Sequence, residues 1–221
     1  VKSKLGNVKL DEINVLKTIP KKEKFDVIIS TVKLYDFDDF ISEIKNIQLS
    51  DTIILPFQNG IYSEQRIMEQ FGKENTYGAV AQISSFINEK QIIIHKGILA
   101  TFFVGKVKSQ NSEKLSNFSN ECKIAGLDLR IKTNIEEKIW EKFIFLSAYS
   151  GITTFSKKTI GEIFTTPTLK GMFINAMKET FNLSKYFNVK FKSDPIQYWI
   201  SKIEKMPFDM TSSMFLDFIQ N

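Results

Sequence analysis

Two polar segments directly follow apolar runs that are typical of β-strands. Lys33 comes after the run from Phe25 to Val32, and Asn59 lies in the Gln-Asn-Gly string after the run from Thr52 to Phe57. In an open α/β sheet, ligands bind beyond the carboxyl ends of the strands. Both residues are therefore candidates to hold a cofactor or substrate, although Asn-Gly is a common turn pair and a lysine at a strand end is usually solvated.

A third segment contains Lys142, which the apolar residues Ile139 and Phe143 flank. A lysine partly shielded from water there could act as a general acid and protonate the oxygen of a ketone while hydride reaches its carbon. Helical spacing puts Leu146 and Ser150 on the face of Lys142, and the Ser150 hydroxyl could donate to a bound carboxylate. The alternative is a surface lysine whose stem lies along apolar neighbours.

Three adjacent hydroxyl residues, Thr211 to Ser213, lie close to the end of the sequence. They could cap a helix as readily as they could bind a substrate. The only histidine, His95, lies in an apolar strand-like run, and the only cysteine is Cys122. We therefore expect no metal site and no Ser-His-Asp relay.

Strands and helices alternate at the start of the chain. The strand-like runs named above are each followed by apolar residues at helical spacing, over 35–47 and 62–71, and Gly72 stands where a helix C-cap would lie. This alternation predicts a parallel sheet that is covered on both faces.

The pattern changes twice further along the chain. Residues 76–105 are β-rich without helical periodicity, which predicts antiparallel strands; a helix over 112–125 and a strand over 128–132 follow. Beyond Asn134 nearly all segments are typical of helices, with starts at Thr166-Pro167 and Asp194-Pro195. We predict an α/β N-terminal domain over 1–132 and an all-helical C-terminal domain over 133–221.

The composition is that of an ordinary folded protein. Of 221 residues, 30 are Lys or Arg and 25 are Asp or Glu, which gives a net charge of +5 with the two signs interspersed along the chain. No basic module typical of nucleic-acid binding is present, and no apolar run reaches the roughly 18 residues of a membrane span. We expect a cytoplasmic protein without a nucleic-acid or membrane partner, and a homodimer is left open.

Read in order, six strings resemble the ketopantoate reductase family over essentially the whole chain. They are STVK (30–33), ILPFQNG (54–60), FGKENTYGAV (71–80), IWEKFIF (139–145), TIGEI (159–163) and TSSMFLD (211–217). The resemblance implies an incomplete Rossmann-type NADPH-binding domain followed by a helical substrate domain. It also implies NADPH-dependent reduction of the 2-keto acid 2-dehydropantoate (ketopantoate) to pantoate, in pantothenate and coenzyme A biosynthesis.

The resemblance also assigns roles to residues. Lys142 matches the catalytic lysine of the family, Asn59 matches the asparagine of its Gln-Asn-Gly turn, and Lys33 matches the lysine after the preceding strand. Ser213 matches a serine that binds substrate. We therefore expect Lys142 to be catalytic, Lys33 and Asn59 to bind the cofactor, and Ser213 to bind the substrate. Helical spacing from Lys142 adds Ser150 to the substrate-binding residues.

Three departures from the family pattern leave alternatives open. None of the ten glycines lies two positions from another, so the family's Gly-x-Gly-x-x-Gly turn is absent, and so is its first strand. The chain begins at Val1, which we interpret as truncation. The C-terminal end of the family, which carries an acidic residue, is also absent. Leu146 and Ser150 stand where family members carry asparagines. The alternatives are a related reductase of another 2-keto acid and a catalytically silent binding protein.

Overall fold

The computed structural model describes residues 1–20, 23–47, 49, 51–107 and 110–220, the side chain of Gln220 excepted. The chain divides into two compact units, Val1–Ile135 and Glu136–Asn221. The predicted boundary lies three residues earlier, after residue 132. Each unit is described by itself.

The first unit contains a parallel pair of short strands, β1 (Val27–Ser30) and β2 (Ile53–Pro56), in register from Val27 opposite Ile53 to Ser30 opposite Pro56. The helices α1 (Phe37–Ile44) and α2 (Tyr62–Phe71) follow them. Helix α1 packs its apolar face on the strands because its fully buried residues recur at helical spacing. These residues are Phe37, Ile41 and Ile44.

A second sheet completes the first unit. Strand β3 (Tyr77–Ile87) pairs antiparallel with β4 (Ile93–Lys106), and β4 pairs parallel with β5 (Asp128–Ile131) after helix α3 (Glu113–Ile124). A parallel bridge between Ile54 and Thr76 links the two sheets. At Gly105 a Cβ atom would clash with the carbonyl oxygen of Lys132, so only glycine allows this close approach.

The second unit is helical. A 22-residue helix, α4 (Ile135–Ser156), is followed by α5 (Ile160–Thr165), α6 (Pro167–Tyr186), α7 (Pro195–Ile203) and α8 (Ser213–Gln220). The Asp194 side chain caps α7 by accepting from the amides of Ile196 and Gln197. A core of α4, α6 and α7 residues includes the fully buried Phe173 and the stacked rings of Phe145 and Trp199.

The mixed α/β first part and the helical second part confirm the predicted fold class. Helix α2 and its C-cap Gly72, at a φ of 81°, lie where the sequence predicts them. The predicted helix over 35–47 is shorter, because Leu34–Asp36 form a 3-10 turn and α1 begins at Phe37. The sequence predicts that both faces of the sheet are covered. This prediction is wrong for β1 in the part of the chain that the structure describes, because Ile29 is 49% exposed.

None of the described helices combines the length and the apolar character that a membrane span requires.

Candidate functional site

The loops after β1 and β2 are bonded to each other at the carboxyl edge of the sheet. The Phe57 amide donates to the Ser30 carbonyl at 3.0 Å. The Gln58 side-chain nitrogen donates to the Ser30 hydroxyl at 2.9 Å and to the Val32 carbonyl at 3.0 Å. Lys33 follows one of these loops directly and Asn59 follows Gln58, and both are exposed. The fold thus brings the two predicted cofactor-binding residues to one edge.

The polar atoms at this edge suit a nucleotide ligand in part. The ammonium of Lys33 and the amide of Asn59 can bond to phosphate oxygens, ribose hydroxyls or a carboxamide. The side-chain oxygen of Gln58 is buried and has no hydrogen-bond partner among the described residues. A buried acceptor without a donor is costly, and a ligand hydroxyl or amide would satisfy it. The edge therefore offers donors and one acceptor to a polar ligand.

Lys142 lies on a turn of α4 that neighbouring residues hold firmly. Its side chain is half-buried, and the preceding Glu141 is buried. The Glu141 carboxylate accepts from the Lys138 ammonium at 2.8 and 2.9 Å, and its carbonyl accepts from the Trp199 indole at 2.6 Å. A charge-assisted bond and a buried indole bond together restrict the position of this turn.

Buried hydroxyls connect the second half of α4 to the start of α8. The hydroxyl oxygens of Thr153 and Ser212 lie 2.7 Å apart, and the residues are 0% and 2% exposed. Ser212 caps α8, because its hydroxyl oxygen accepts from the Phe215 amide at 3.1 Å. Ser213 is the exposed first residue of α8, and Ser150 is half-buried one turn before Thr153. Of the adjacent hydroxyls, Ser212 is therefore the cap and Ser213 is available to a ligand.

Tyr149 places a polar atom in the aromatic core of the second unit. Its ring stacks on Phe145 at 4.9 Å, and Phe145 stacks on Trp199 at 4.2 Å. The Tyr149 hydroxyl has no hydrogen-bond partner among the described residues, and burial raises the pKa of the phenol well above its usual range. The group therefore stays protonated, and its hydrogen-bonding capacity is unused.

His95 has a structural environment in β4. Its Nε2 lies 3.0 Å from the Leu99 carbonyl oxygen, and its Nδ1 lies 2.8 Å from the Ser3 hydroxyl. A carbonyl can only accept, so Nε2 carries the proton and Nδ1 accepts from Ser3. Over the ranges that the structure describes, no group of three or more His, Cys, Asp or Glu side chains could hold a metal ion.

Several residues of the site escape the sequence patterns. Gln58 is visible in the Gln-Asn-Gly string, but its bonds to Ser30 and Val32 depend on strand pairing. Thr153 pairs with Ser212 across 59 residues, and Trp199 with Glu141 across 58. A single sequence carries no signal for such pairs. The roles predicted for Lys33, Asn59, Lys142, Ser150 and Ser213 stay predictions.

Comparisons with known proteins assign most of the chain to one group. The family model described as ketopantoate reductase PanE/ApbA matches residues 1–109, and its C-terminal companion matches residues 134–221. A 2-dehydropantoate 2-reductase from Pyrococcus horikoshii is 28% identical over 182 residues, which are 82% of this chain and 59% of that protein. The chain spans about half the length of the curated relatives that it matches.

Solved structures share the fold. A dimeric ketopantoate reductase from Staphylococcus aureus aligns with a TM-score of 0.75 at 20% identity, over 91% of this chain and 66% of its own. A D-mandelate dehydrogenase in a ternary structure with NADH and anilino(oxo)acetate aligns with a TM-score of 0.78 at 19% identity, over 92% of this chain and 65% of its own. At these identities, the likeness shows the fold alone.

Proposed function

The chain belongs to the ketopantoate reductase PanE/ApbA family, and we propose that it reduces 2-dehydropantoate to pantoate with NADPH, in pantothenate and coenzyme A biosynthesis. The observation that carries the proposal is the arrangement along α4. Lys142 lies on a fixed turn, Ser150 follows on the same helix, and the buried Thr153–Ser212 contact joins α4 to the residue before Ser213. An acid and two hydroxyls on connected elements suit a 2-keto acid.

The residues of the second unit divide the chemistry among them. The Lys142 ammonium donates a proton to the keto oxygen as negative charge develops there, and the carbonyl becomes a hydroxyl. Ser150 and Ser213 donate hydrogen bonds to the substrate carboxylate. The N-terminal end of α8 adds a field that favours an anion. Together these contacts orient the keto carbon for reduction.

The first unit contributes cofactor contacts. Lys33 and Asn59 hold the cofactor by an ammonium and an amide, and the unpartnered Gln58 oxygen accepts from one of its donors. The bound cofactor supplies the hydride. The glycine-rich turn that supplies backbone N–H groups to a pyrophosphate is not among these residues, since none of the ten glycines lies two positions from another.

A related 2-keto acid is the second candidate substrate. Leu146 lies one turn after Lys142 and is half-buried, so it offers apolar surface where a hydroxylated substrate would need a polar partner. One structural relative is named a D-mandelate dehydrogenase, and benzoylformate is the 2-keto acid that corresponds to mandelate, so we choose it as the competitor to test against ketopantoate. We further propose a cytoplasmic enzyme that forms a homodimer, as the S. aureus relative does.

The test is the loss of reduced-nicotinamide absorbance when a 2-keto acid is added to the protein with its native ends. Ketopantoate with NADPH is expected to give the highest kcat/KM, ahead of benzoylformate and ahead of NADH. Lys142→Ala is expected to lower kcat by about 10²–10⁴-fold, because it removes the acid. Lys185→Ala, which removes an exposed lysine that bonds to Asn182 and lies over the Phe181 ring, is the matched control.

The outcomes separate the alternatives. Turnover that survives Lys142→Ala would remove the mechanism and leave the reaction class in place. A preference for benzoylformate would favour the second substrate. No turnover with either acid, together with no binding of NADPH or NADH, would contradict the proposal and favour a catalytically silent binding protein.

A further inference from the structure

The buried hydroxyl contact between α4 and α8 has one consistent set of hydrogen-bond directions. The Thr153 hydroxyl lies 2.6 Å from the Tyr149 carbonyl, which can only accept, so Thr153 donates there. Its single proton is then used, and Ser212, 2.7 Å away, must donate to the Thr153 oxygen. The Ser212 oxygen in turn accepts from the Phe215 amide. The start of α8 is thus bonded to the backbone of α4 through two hydroxyls.

Helix α8 buries little of its apolar surface among the described residues. The helix is apolar on several sides, and four of its large apolar side chains are 43–56% exposed: Met214, Leu216, Phe218 and Ile219. By contrast, Ser212 is buried and Phe215 is half-buried. The buried hydroxyl contact adds a directional interaction on the side of α8 that faces α4.

The contact lies where it can affect substrate binding. Thr153 is eleven residues after Lys142, which places both on the same face of α4, and three residues after Ser150. Ser212 is the neighbour of Ser213. The Thr153 hydroxyl also lies 3.4 Å from the Ser150 carbonyl. The two hydroxyls therefore join the segments that carry Ser150 and Ser213.

We propose that Thr153 and Ser212 are positioning residues for the carboxylate site. They hold the first turn of α8 so that Ser213 faces the same ligand as Ser150 and Lys142. Neither residue contacts the substrate, and both act through Ser213. This inference rests on the proposed function, because it names the elements that set substrate affinity at that site.

The test compares three α4 and α8 variants with the wild-type protein. Thr153→Val keeps the side-chain shape and removes the acceptor of Ser212, and Ser212→Ala removes the donor. Each is expected to raise KM for the 2-keto acid about tenfold, the effect of one lost hydrogen bond to a buried partner, with kcat and the cofactor KM within about twofold. Thr153→Ser keeps the hydroxyl and is expected to restore KM.

A matched control separates positioning from stability. The Ser147 and Thr180 hydroxyls form a half-buried pair at 2.8 Å that does not involve α8. Thr180→Val is expected to lower stability less than Thr153→Val does, because water can reach its pair, and to leave KM unchanged. Equal effects of the two valine variants on KM, or no rescue by Thr153→Ser, would overturn the proposal.

Hydrogen exchange gives a second readout that does not need turnover. Thr153→Val is expected to speed exchange of the Phe215 and Leu216 amides about tenfold relative to the wild type, whereas Thr180→Val should not. Unchanged exchange in Thr153→Val would overturn the positioning role even in an active enzyme. Faster exchange in a protein without reductase activity would instead contradict the proposed function and leave the contact's control of α8 established.

Discussion

At the scale of single residues, some buried polar atoms have hydrogen-bond partners within the protein and others do not. The Thr153 and Ser212 hydroxyls use their protons and acceptors within the protein. The Gln58 oxygen and the Tyr149 hydroxyl are buried without a partner among the described residues. Each buried polar atom without a partner lowers the stability of the folded state. A substitution at such an atom therefore tests whether the atom serves stability or function.

Tyr149→Phe is expected to stabilise the protein. The change removes a buried hydroxyl that has no partner in the described structure and keeps the ring that stacks on Phe145. We expect the free energy of unfolding to rise by about 1 kcal/mol, measured by urea denaturation. A loss of stability would show that the hydroxyl has an acceptor inside the complete protein. Phe145→Leu, which breaks the stack, is the contrasting variant and is expected to destabilise.

Gln58→Leu is expected to weaken cofactor binding. The leucine cannot bond to Ser30 or Val32, so only the backbone bond from Phe57 to Ser30 still joins the segment that carries Lys33 to the loop that carries Asn59. Loss of these bonds is expected to raise the dissociation constant for NADPH by about tenfold, measured by fluorescence titration. Gln197→Leu, on the exposed side of α7, is the control. Unchanged NADPH affinity in Gln58→Leu would exclude this edge from cofactor binding.

At the scale of elements, the string over 159–163 proves to have a structural explanation. Thr159 and Glu162 form a capping box at the start of α5. Gly161 lies against the Phe208 ring so closely that a Cβ atom would overlap it, and the Gly161 amide donates to the Phe208 carbonyl at 3.0 Å. The string therefore fixes the loop before α8 to α5 and has no need of a catalytic role.

Gly161→Ala is expected to destabilise the second unit by about 1–3 kcal/mol, because its methyl group would overlap the Phe208 ring. Phe208→Ala should cost little, since the ring is more than half exposed. The double variant is expected to recover most of the loss, measured as a double-mutant cycle of thermal unfolding. Additive effects of the two substitutions would contradict this contact.

The capping box makes stability depend on pH. The Thr159 backbone N–H, followed by the Lys158 side chain, lowers the pKa of Glu162 below its usual value of 4.5. A carboxyl with a lowered pKa stabilises the fold above its unfolded pKa, and the effect is lost as the pH falls through the folded pKa. The stability difference between wild type and Glu162→Gln is therefore expected to shrink as the pH falls below 4.5, measured by denaturation at several pH values. A difference that is constant with pH would contradict it.

Local signals account for most of the elements that the sequence predicts. Gly72 and Asp194 mark helix ends because a positive φ and a side-chain cap are properties of single residues. The short 3-10 turn before α1 and the open face at Ile29 were not predicted, because they depend on neighbouring elements. The pairing of Thr153 with Ser212 depends on tertiary packing, for which one sequence gives no pattern.

At the scale of the whole molecule, each unit carries its own set of polar groups. The first offers an ammonium, an amide and, at the edge of a parallel strand pair, the Gln58 oxygen, which has no partner among the described residues. The second offers a fixed lysine and hydroxyls on connected helices. The motifs of both could be read in the sequence, and their assignment to cofactor and substrate followed from the family resemblance. The predicted substrate also rests on the resemblance, because residue spacing does not give the shape of a pocket.

The most direct test of the account is the transfer of deuterium to ketopantoate from NADPH that carries deuterium at both C4 positions of the nicotinamide ring, on the protein with its native ends. The account predicts pantoate with one deuterium on the carbon that bore the keto group, detected by mass spectrometry and NMR, and predicts that Lys142→Ala loses most of this product. Pantoate without deuterium, or no pantoate while another 2-keto acid is reduced, would contradict the central claim.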